Sequence, residues 1–453
     1  MAELLVKLNP DLYSPHLCIK NGKTLMYVKL KKALYGTLKA ALLFWKHLSG
    51  KLHGWGFTAN PYDSCVVNKE INGSQCTILW HVDDLKISHA DPNVVLAIIR
   101  QIDSEFGKEA PVTVYRGKVH NYLGMTINYS LPGKVQISMV DYIDGMLAEI
   151  PEDMAGESAT PAPNHLFQVN HSCEKLTEDQ AVMFHHNAAK LLFLCKRARP
   201  DVQLATAFLC TRVKSPDTDD YKKLARVMRY LRATRTMPLT LEASAGINIV
   251  KWWVDASFAV HPDMRSHTGA MMTLGRGALY AMSSRKKLTT KSSTEGKLVG
   301  VADAMAQIIW TRYFLEAQGY SIKDSIVYQD NQSAMLLEKN GRASSSKRTR
   351  HINIRYFFIT DRIANNEMSV QYCPTKEMTA DFFTKPLQGA PFRTFRDEIM
   401  NVDPMSVPSM DHRSVLELDE QYGMDHDSNN GWITVQGKVL KKKSHSTNMP
   451  ITN

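Results

Sequence analysis

The sequence predicts a multidomain chain of mixed α/β and α+β structure, whose second half contains a mixed five-stranded sheet with flanking helices. Its 453 residues suffice for two or three domains, each with its own core. A composition of 44% hydrophobic and 22% charged residues is globular and excludes a disordered chain, a collagen-like repeat and a heptad rod. Strand-like and helix-like segments alternate in both halves, with a helical stretch between them.

These patterns divide the chain into four parts. Residues 1–155 mix short helical and strand patterns, and residues 156–240 combine a linker with helices. Residues 245–395 form a second alternating α/β region. Residues 396–453 lose the apolar periodicity and include a lysine run, so we expect a mostly disordered polar tail there.

The first part contains a helix and a hairpin. Apolar residues recur every three or four positions over Lys31–Leu52, which predicts a helix. The strand-like runs Cys65–Asn68 and Cys76–Val82 are separated by Asn72-Gly73, a strong hairpin-turn signal. The second strand leads directly into the acidic pair Asp83-Asp84.

The middle part begins with a proline-containing linker over Pro151–His171 and continues as helices. Apolar spacing predicts these helices at Phe184–Leu194, Val202–Val213 and Tyr221–Leu231. Prolines between them mark the helix breaks.

The second α/β region alternates strands and helices. Three strands come first, at Val250–Asp255, Thr268–Leu274 and Ala278–Ser283. The hydroxyls of Ser292–Thr294 are helix N-cap signals and open a long helix to Ala317. The remaining predicted elements are the strand Ser325–Gln329, the helices Asn331–Lys339 and Ile352–Ala364, the strand Ser369–Cys373 and a terminal helix from near Lys376.

The charge and the cysteine content limit which kinds of partner and which cell compartment fit this protein. The chain has 55 Lys and Arg against 45 Asp and Glu, and its net charge of +10 favours a polyanionic partner such as nucleic acid. Seven scattered cysteines without a CxxC pair do not suit a disulfide framework, so we expect an intracellular, cytoplasmic or nuclear protein that is not secreted. No segment approaches the roughly 18 apolar residues of a membrane span, and the N-terminus lacks a signal-peptide pattern, so we expect no membrane partner.

A metal site at His185, His186 and Cys195 is an open alternative. These residues lie in an apolar, helix-like run, and that context favours buried core residues over ligands. We therefore expect a structural role for them.

Four acidic residues of the second α/β region fall at structurally similar places. Asp255 lies near the end of the first strand and Asp330 directly follows a later one, while Glu295 and Asp381 lie in helix starts. Ends of adjacent strands share one edge of an α/β sheet, where ligands bind, and helix starts can reach the same edge. Two Mg²⁺ ions about 4 Å apart would hold four clustered carboxylates together and activate water for phosphodiester cleavage. Taken singly, each acid is better explained as a strand-end or helix cap.

The segments around these acids resemble ribonuclease H of Ty1/copia-type retrotransposons. The matching segments are Trp253–Ser257, His267–Gly269, Thr290–Glu295, Gln329–Ala334, Arg348–Ile352 and Ala380–Leu387. The resemblance implies a hydrolase that cuts the RNA strand of RNA–DNA hybrids. Its two Mg²⁺ ions, or Mn²⁺ in their place, would be held by Asp255, Glu295, Asp330 and Asp381. The family motif usually has an acid soon after Glu295, where this chain has Gly296-Lys297.

A basic run is a candidate contact for nucleic acid. It comprises Lys347, Arg348, Arg350, His351 and Arg355. Such side chains can follow the phosphates of a hybrid, with binding that weakens as salt rises. A solvated loop without a partner explains the run equally well.

The first half resembles the reverse transcriptase of the same polyprotein. Asp83-Asp84, preceded by His81-Val82, is similar to the aromatic-x-Asp-Asp metal-binding motif of that family. Further matching segments are Ala33–Ala40, Trp55–Phe57, Asn60–Asp63, Asn121–Met125, Arg199–Val202 and Tyr230–Arg232. The resemblance covers about residues 1 to 395. It implies a Pol polyprotein fragment in which Asp83 and Asp84 are catalytic metal ligands, with other Pol or Gag products as partners.

A third palm aspartate of such enzymes has no match in this sequence. We therefore expect a truncated palm without fingers, in which RNA-directed DNA synthesis is lost. Two interpretations of the whole chain stay open. The favoured one is a working ribonuclease H joined to a partial palm and a helical connection. The alternative is an inactive or host-adopted relic that binds nucleic acid. A third interpretation is an integrase-like nuclease on the same fold. The segments before residue 235 that resemble reverse transcriptase argue against it.

Overall fold

A computed structural model describes residues 2–27, 29, 34, 36–108, 110–243, 247–341 and 353–403, with side chains omitted for 353–356. The tail from 404 onward lies outside the described residues. The same holds for the basic side chains predicted to contact nucleic acid, which are Lys347, Arg348, Arg350, His351 and Arg355. Among the described helices, none combines the length and apolarity that a membrane crossing requires.

The first part of the chain contains a separate β1–β2 hairpin and a four-stranded antiparallel sheet covered by helices. Its elements are α1 (Ala2–Leu8), α2 (Pro10–Tyr13), β1 (Leu17–Lys20), β2 (Lys23–Met26), α3 (Leu38–Gly54), β3 (Thr58–Asn60), β4 (Asp63–Ile71), β5 (Ser74–His81), β6 (Asp84–Ser88) and α4 (Pro92–Phe106). Strands β3 to β6 pair in chain order, and Leu52 of α3 and Ile98 of α4 pack on them. The predicted hairpin is confirmed, since Asn72 and Gly73 join β4 to β5 with φ of 54° and 74°.

A second sheet crosses the predicted domain boundaries. The elements of this region are β7 (Val119–Tyr122), β8 (Met125–Asn128), β9 (Lys134–Ser138), α5 (Val140–Glu149), α6 (Glu178–Cys195), α7 (Gln203–Arg212), α8 (Thr218–Ala233), β10 (Leu239–Ala243) and β13 (Gly275–Arg276). Its strand order is β13-β10-β9-β8-β7. Strands from before 155, from before 245 and from the second α/β region therefore share one sheet. The three helices predicted in the middle part are confirmed as α6, α7 and α8.

The predicted linker at Pro151–His171 is packed against the helical part. Leu166 and Phe167 are buried in the same core as α6 and α7. Thr160 donates its hydroxyl to Gln388 at 2.9 Å, which fastens the segment to the C-terminal part of the chain. Its lack of apolar periodicity reflects irregular backbone, although most of residues 158–167 are buried.

The third sheet is the mixed five-stranded sheet that the sequence predicts. Its strands are β11 (Ile249–Ser257), β12 (His267–Thr273), β14 (Tyr280–Arg285), β15 (Asp324–Gln329) and β16 (Ser369–Tyr372). The order is β14-β12-β11-β15-β16, with β14, β12 and β11 antiparallel and β11, β15 and β16 parallel. The helices of this region are α9 (Ser293–Ala317), α10 (Gln332–Asn340), α11 (Asn353–Ala364) and α12 (Gly389–Met400).

The end of this region differs from the sequence expectation. A terminal helix was expected from near Lys376, but the chain makes 3₁₀ turns at Thr375–Glu377 and Thr379–Phe383. The helix α12 begins only at Gly389 and continues to Met400, past the expected start of the tail at 396. Met400 is fully buried, so the folded core extends past residue 396.

Gly269 of β12 lets the turn Thr379–Phe383 lie directly on the sheet. A β-carbon at this position would lie 2.7 Å from Phe383 Cβ, 2.7 Å from Thr384 Cγ2 and 2.9 Å from the carbonyl oxygen of Ala380. These distances are far below van der Waals contact. Only glycine therefore allows this close approach without displacing the turn.

We expect Gly269→Ala to lower the free energy of unfolding by about 1–3 kcal/mol, because the added methyl group must push the turn away. Urea unfolding measures this loss. The control is Gly50→Ala, since Gly50 is exposed in α3 and a β-carbon there meets nothing within 4 Å. Equal unfolding free energies of the two variants would show that the turn does not depend on Gly269.

Candidate active site

Three of the four predicted acids of the second α/β region converge at one end of the third sheet. The parallel register pairs Trp253 of β11 with Tyr328 of β15, so Asp255 and Asp330, each two residues further, come level with each other. Asp381 lies in the 3₁₀ turn that packs beside Gly269. Each of the three aspartate side chains is less than a tenth exposed. We call Asp255, Asp330 and Asp381 the acid pocket.

A lysine from α9 lies between two of these acids. Lys297 Nζ donates to Asp255 Oδ1 and to Asp330 Oδ1, at 2.5 Å in each case. The helix lies against β11 because its Leu298 and Val301 share a buried core with Val254. This approach places Lys297 over the end of β11. We call Asp255, Lys297 and Asp330 the ion triad.

The contacts within the ion triad fix the charges of Asp255 and Lys297. Burial alone would raise the pKa of Asp255, but the charge and hydrogen bond of Lys297, with a hydrogen bond from Thr384, lower it to about 2. Thr384 donates its hydroxyl to Asp255 Oδ2 at 2.6 Å, so both oxygens of Asp255 are engaged. Burial alone would lower the pKa of Lys297, but Asp255 and Asp330 raise it above its ordinary value. Asp255 and Lys297 are both ionised at neutral pH.

Asp381 has a different environment. Lys385 Nζ donates to its Oδ2 at 2.7 Å, while Oδ1 is buried with no hydrogen-bond partner among the described residues. Burial, and then the neighbouring charge of Asp255, raise the pKa of Asp381 to about 7, although Lys385 opposes the shift. Asp381 is therefore the least compensated carboxylate of the acid pocket.

Glu295, the fourth predicted acid, lies in the first turn of α9 and contacts the segment just before that helix. Its Oε2 accepts a hydrogen bond from the Lys291 backbone N–H at 2.9 Å. Its backbone N–H donates to the Ser292 hydroxyl at 3.2 Å, which confirms the predicted N-cap of α9. Within the described residues, no three His, Cys, Asp or Glu side chains come together in a way that could hold one metal ion.

The residues of the acid pocket do not fit the pair of Mg²⁺ ions that the resemblance implies. Mg²⁺ requires oxygen ligands at about 2.0–2.1 Å in near-octahedral geometry. The Oδ1 atoms of Asp255 and Asp330 already bind the ammonium of Lys297. An ammonium has three donors and no acceptor, so Lys297 cannot be a ligand, and its charge repels a divalent cation.

The sequence reasoning missed Lys297 as a site residue. The available signal was the departure at Gly296-Lys297, where the family motif usually has an acid. Only the structure reveals that this side chain reaches two predicted metal ligands.

The acidic pair of the first part lies on an exposed hairpin. His81 pairs with Asp84 at the turn between β5 and β6, and Val82 has a φ of 56°. Asp83 and Asp84 are exposed. No third acid joins them to form a metal-binding group within the described part of the chain.

The three residues of the alternative metal site in the helical part differ in their exposure to solvent. Cys195 is buried in the core, and burial raises the pKa of its thiol to about 12. His185 and His186 are exposed on α6. This arrangement agrees with the structural role expected for Cys195.

A basic surface borders the first turn of α9. It is a groove of about 400 Å³ between α6, α7 and β14, which we call the basic groove. Its charged side chains are Lys196, Arg265, Arg285, Lys286 and Lys287. Asp263 pairs with Arg265 and Arg285 at 3.2 Å each and offsets part of this charge. Lys286 Nζ donates to the carbonyl oxygen of Gly296 at 2.7 Å, so the groove adjoins the turn that carries Lys297.

The fold and the acids together define a class of protein. A mixed sheet in the order β14-β12-β11-β15-β16, with acids at the level ends of β11 and β15, is the ribonuclease H-like arrangement that the motifs predict. Among solved structures, RNase H1 from Halobacterium salinarum NRC-1 is similar with a TM-score of 0.22 and 10% identity, over 29% of this chain and 90% of that one. The prototype foamy virus protease–reverse transcriptase is similar with a TM-score of 0.23 and 15% identity, over 84% and 43%. The fold assignment depends on the sheet order and not on these superpositions.

Sequence comparisons identify relatives among transposon proteins, although no family model matches the chain. The retrovirus-related Pol polyprotein from transposon TNT 1-94 of Nicotiana tabacum is 27% identical over 80% of this chain and 27% of its own length. That from transposon RE1 of Arabidopsis thaliana is 26% identical over 82% and 25%. The putative transposon Ty5-1 protein of Saccharomyces cerevisiae is 25% identical over 62% and 89%. The predicted resemblance to Ty1/copia-type Pol polyproteins is thus confirmed, and the chain spans about a quarter of the TNT 1-94 and RE1 polyproteins.

We expect Lys297→Met to lower the free energy of unfolding by about 3–5 kcal/mol, because two buried carboxylates then lose their shared counter-ion. Urea unfolding at neutral pH measures the loss. Lys323→Met is the matched control, since Lys323 is exposed, and it should change stability by less than about 0.5 kcal/mol.

Adding Asp255→Asn and Asp330→Asn to the Lys297→Met variant should recover part of this stability, because no charge is then buried unpaired. If Lys297→Met were as stable as the Lys323→Met control, the ion triad would have no energetic importance.

Proposed function

We propose that this chain is a retroelement-derived protein whose ribonuclease H-like domain binds RNA–DNA hybrids without hydrolysing them. One observation carries the proposal: Lys297 Nζ lies 2.5 Å from an oxygen of Asp255 and from an oxygen of Asp330. Two-metal hydrolysis requires these carboxylates to be free for metal ions. Of the two interpretations left open by the sequence, the geometry favours the nucleic-acid-binding relic.

The basic groove supports binding to nucleic acid. Lys and Arg side chains contact phosphates and supply most of the sequence-independent affinity for a duplex. Lys286 lines the groove and donates to the carbonyl oxygen of Gly296, the residue before Lys297. The basic run at residues 347–355 is a further predicted contact.

Mg²⁺-dependent hydrolysis of the RNA strand is the second candidate function. It is favoured by Asp381, whose buried Oδ1 has no hydrogen-bond partner among the described residues. Hydrolysis would require Lys297 to leave Asp255 and Asp330. DNA synthesis is outside the proposal, because the described residues supply no third acid beside Asp83 and Asp84.

A cleavage assay separates the two candidates. The intact chain is incubated with an end-labelled RNA–DNA hybrid and Mg²⁺, or Mn²⁺, beside its Asp255→Asn variant. We expect no more product from the intact chain than from the variant, because the metal ligands are bound to Lys297. Metal-dependent cleavage that Asp255→Asn abolishes would establish the hydrolase and refute the proposal.

Hybrid binding is measured on the same protein as a function of salt. We expect Lys196→Gln with Lys287→Gln to weaken binding at low salt and to reduce the slope of log affinity against log salt by about 1–2, because each lost phosphate contact contributes about 0.9. Both lysines line the basic groove. Lys323→Gln, an exposed change on another surface, is the control and should leave the slope unchanged. Identical slopes for all three proteins would exclude the basic groove as the binding surface.

A further inference from the structure

The acid pocket gathers more negative charge than a protein interior tolerates without cations. Asp255, Asp330 and Asp381 lie together with less than a tenth of each side chain exposed. Lys297 contacts the first two at 2.5 Å, and Lys385 contacts the third at 2.7 Å. Buried charges are retained only when they are paired or coordinated. In this chain, two ammonium groups supply that pairing.

We propose that Lys297 is the resident cation of the acid pocket, and that it replaces a divalent metal ion in holding Asp255 and Asp330 together. The inference deepens the proposed function and uses the same pocket, but it does not depend on hybrid binding. It means that the pocket is complete without metal.

Lys297 is fixed in this position by the packing of its helix. Leu298 and Val301 of α9 are buried in one core with Val254 of β11, which holds the helix against the strand. The side chain of Lys297 is only 10% exposed. To leave, its ammonium must give up two charge-assisted hydrogen bonds and strand two buried carboxylates, which is strongly unfavourable. A divalent cation therefore does not displace it at millimolar concentration.

The same geometry identifies what Lys297 prevents. A carboxylate at position 297 would have its oxygens within reach of Asp255 and Asp330, giving three acids around one point. Oxygen-rich clusters of this kind are what Mg²⁺ and Mn²⁺ prefer. One substitution, Lys297→Glu, should therefore convert a metal-independent pocket into a divalent-cation site.

The test measures Mn²⁺ binding by calorimetry and thermal unfolding with Mg²⁺ or with EDTA, on the full chain. For the wild-type protein we expect the same Tm in Mg²⁺ and in EDTA. We also expect the wild-type protein to show no Mn²⁺ binding that is lost in the Asp255→Asn variant. For Lys297→Glu we expect Mn²⁺ binding tighter than wild type by more than about tenfold and a Tm that rises with Mg²⁺. Adding Asp255→Asn to Lys297→Glu should abolish both effects.

Wild-type Mn²⁺ binding as tight as that of Lys297→Glu, and sensitive to Asp255→Asn, would overturn the inference. So would a folded Lys297→Glu protein without Mn²⁺ affinity.

If Lys297→Glu folds only when Mg²⁺ is added, that dependence supports the inference. If it does not fold at all, Lys297→Gln decides: tighter Mn²⁺ binding than wild type supports the inference, and unchanged binding overturns it. Loss of hybrid binding would refute the proposed function alone, because these metal measurements contain no nucleic acid.

Discussion

Two carboxylates at the level ends of adjacent parallel strands must have a positive charge between them, and this requirement governs the ribonuclease H-like half of the chain. Asp255 and Asp330 are brought level by the pairing of β11 with β15, and they are nearly free of solvent. Their mutual repulsion would oppose folding if nothing offset it. Lys297 meets the requirement from within the chain.

The surrounding structure is arranged so that this charge stays in place. The core shared by α9 and β11 holds Lys297 over the acids, and Gly269 lets the turn with Asp381 approach β12. Thr384 holds the second oxygen of Asp255, and Lys385 holds Asp381. A pocket with these contacts can be stable without a metal ion, whereas a catalytic two-metal site needs vacant carboxylates. The proposed function is recognition of nucleic acid by shape and charge, in which the basic groove would contact the phosphates.

The sequence predicts much of this architecture where local pattern decides it. The hairpin at Asn72-Gly73, the N-cap at Ser292, the helix up to Ala317 and the five-stranded sheet all depend on turn signals, caps and apolar spacing. The convergence of Asp255, Asp330 and Asp381 was also predictable, since ends of neighbouring strands share one edge of a sheet.

The missed features depend on contacts between distant residues. The sheet that pairs β9 with β10 joins segments a hundred residues apart, and the packing of Pro151–His171 has no periodic signature. The contact of Glu295 Oε2 with the Lys291 backbone N–H is likewise not visible in the sequence, because it depends on how the chain enters α9. Lys297 was noticed only as a departure from a motif, because nothing local reveals which side chain will reach Asp255.

A diffraction measurement on the intact chain, crystallised in the presence of Mn²⁺ and recorded near the manganese absorption edge, tests the central claim most directly. The account predicts electron density for the Lys297 ammonium between the two aspartates and no anomalous peak there. An anomalous peak bridging Asp255 and Asp330, with Lys297 turned out to solvent, would contradict it.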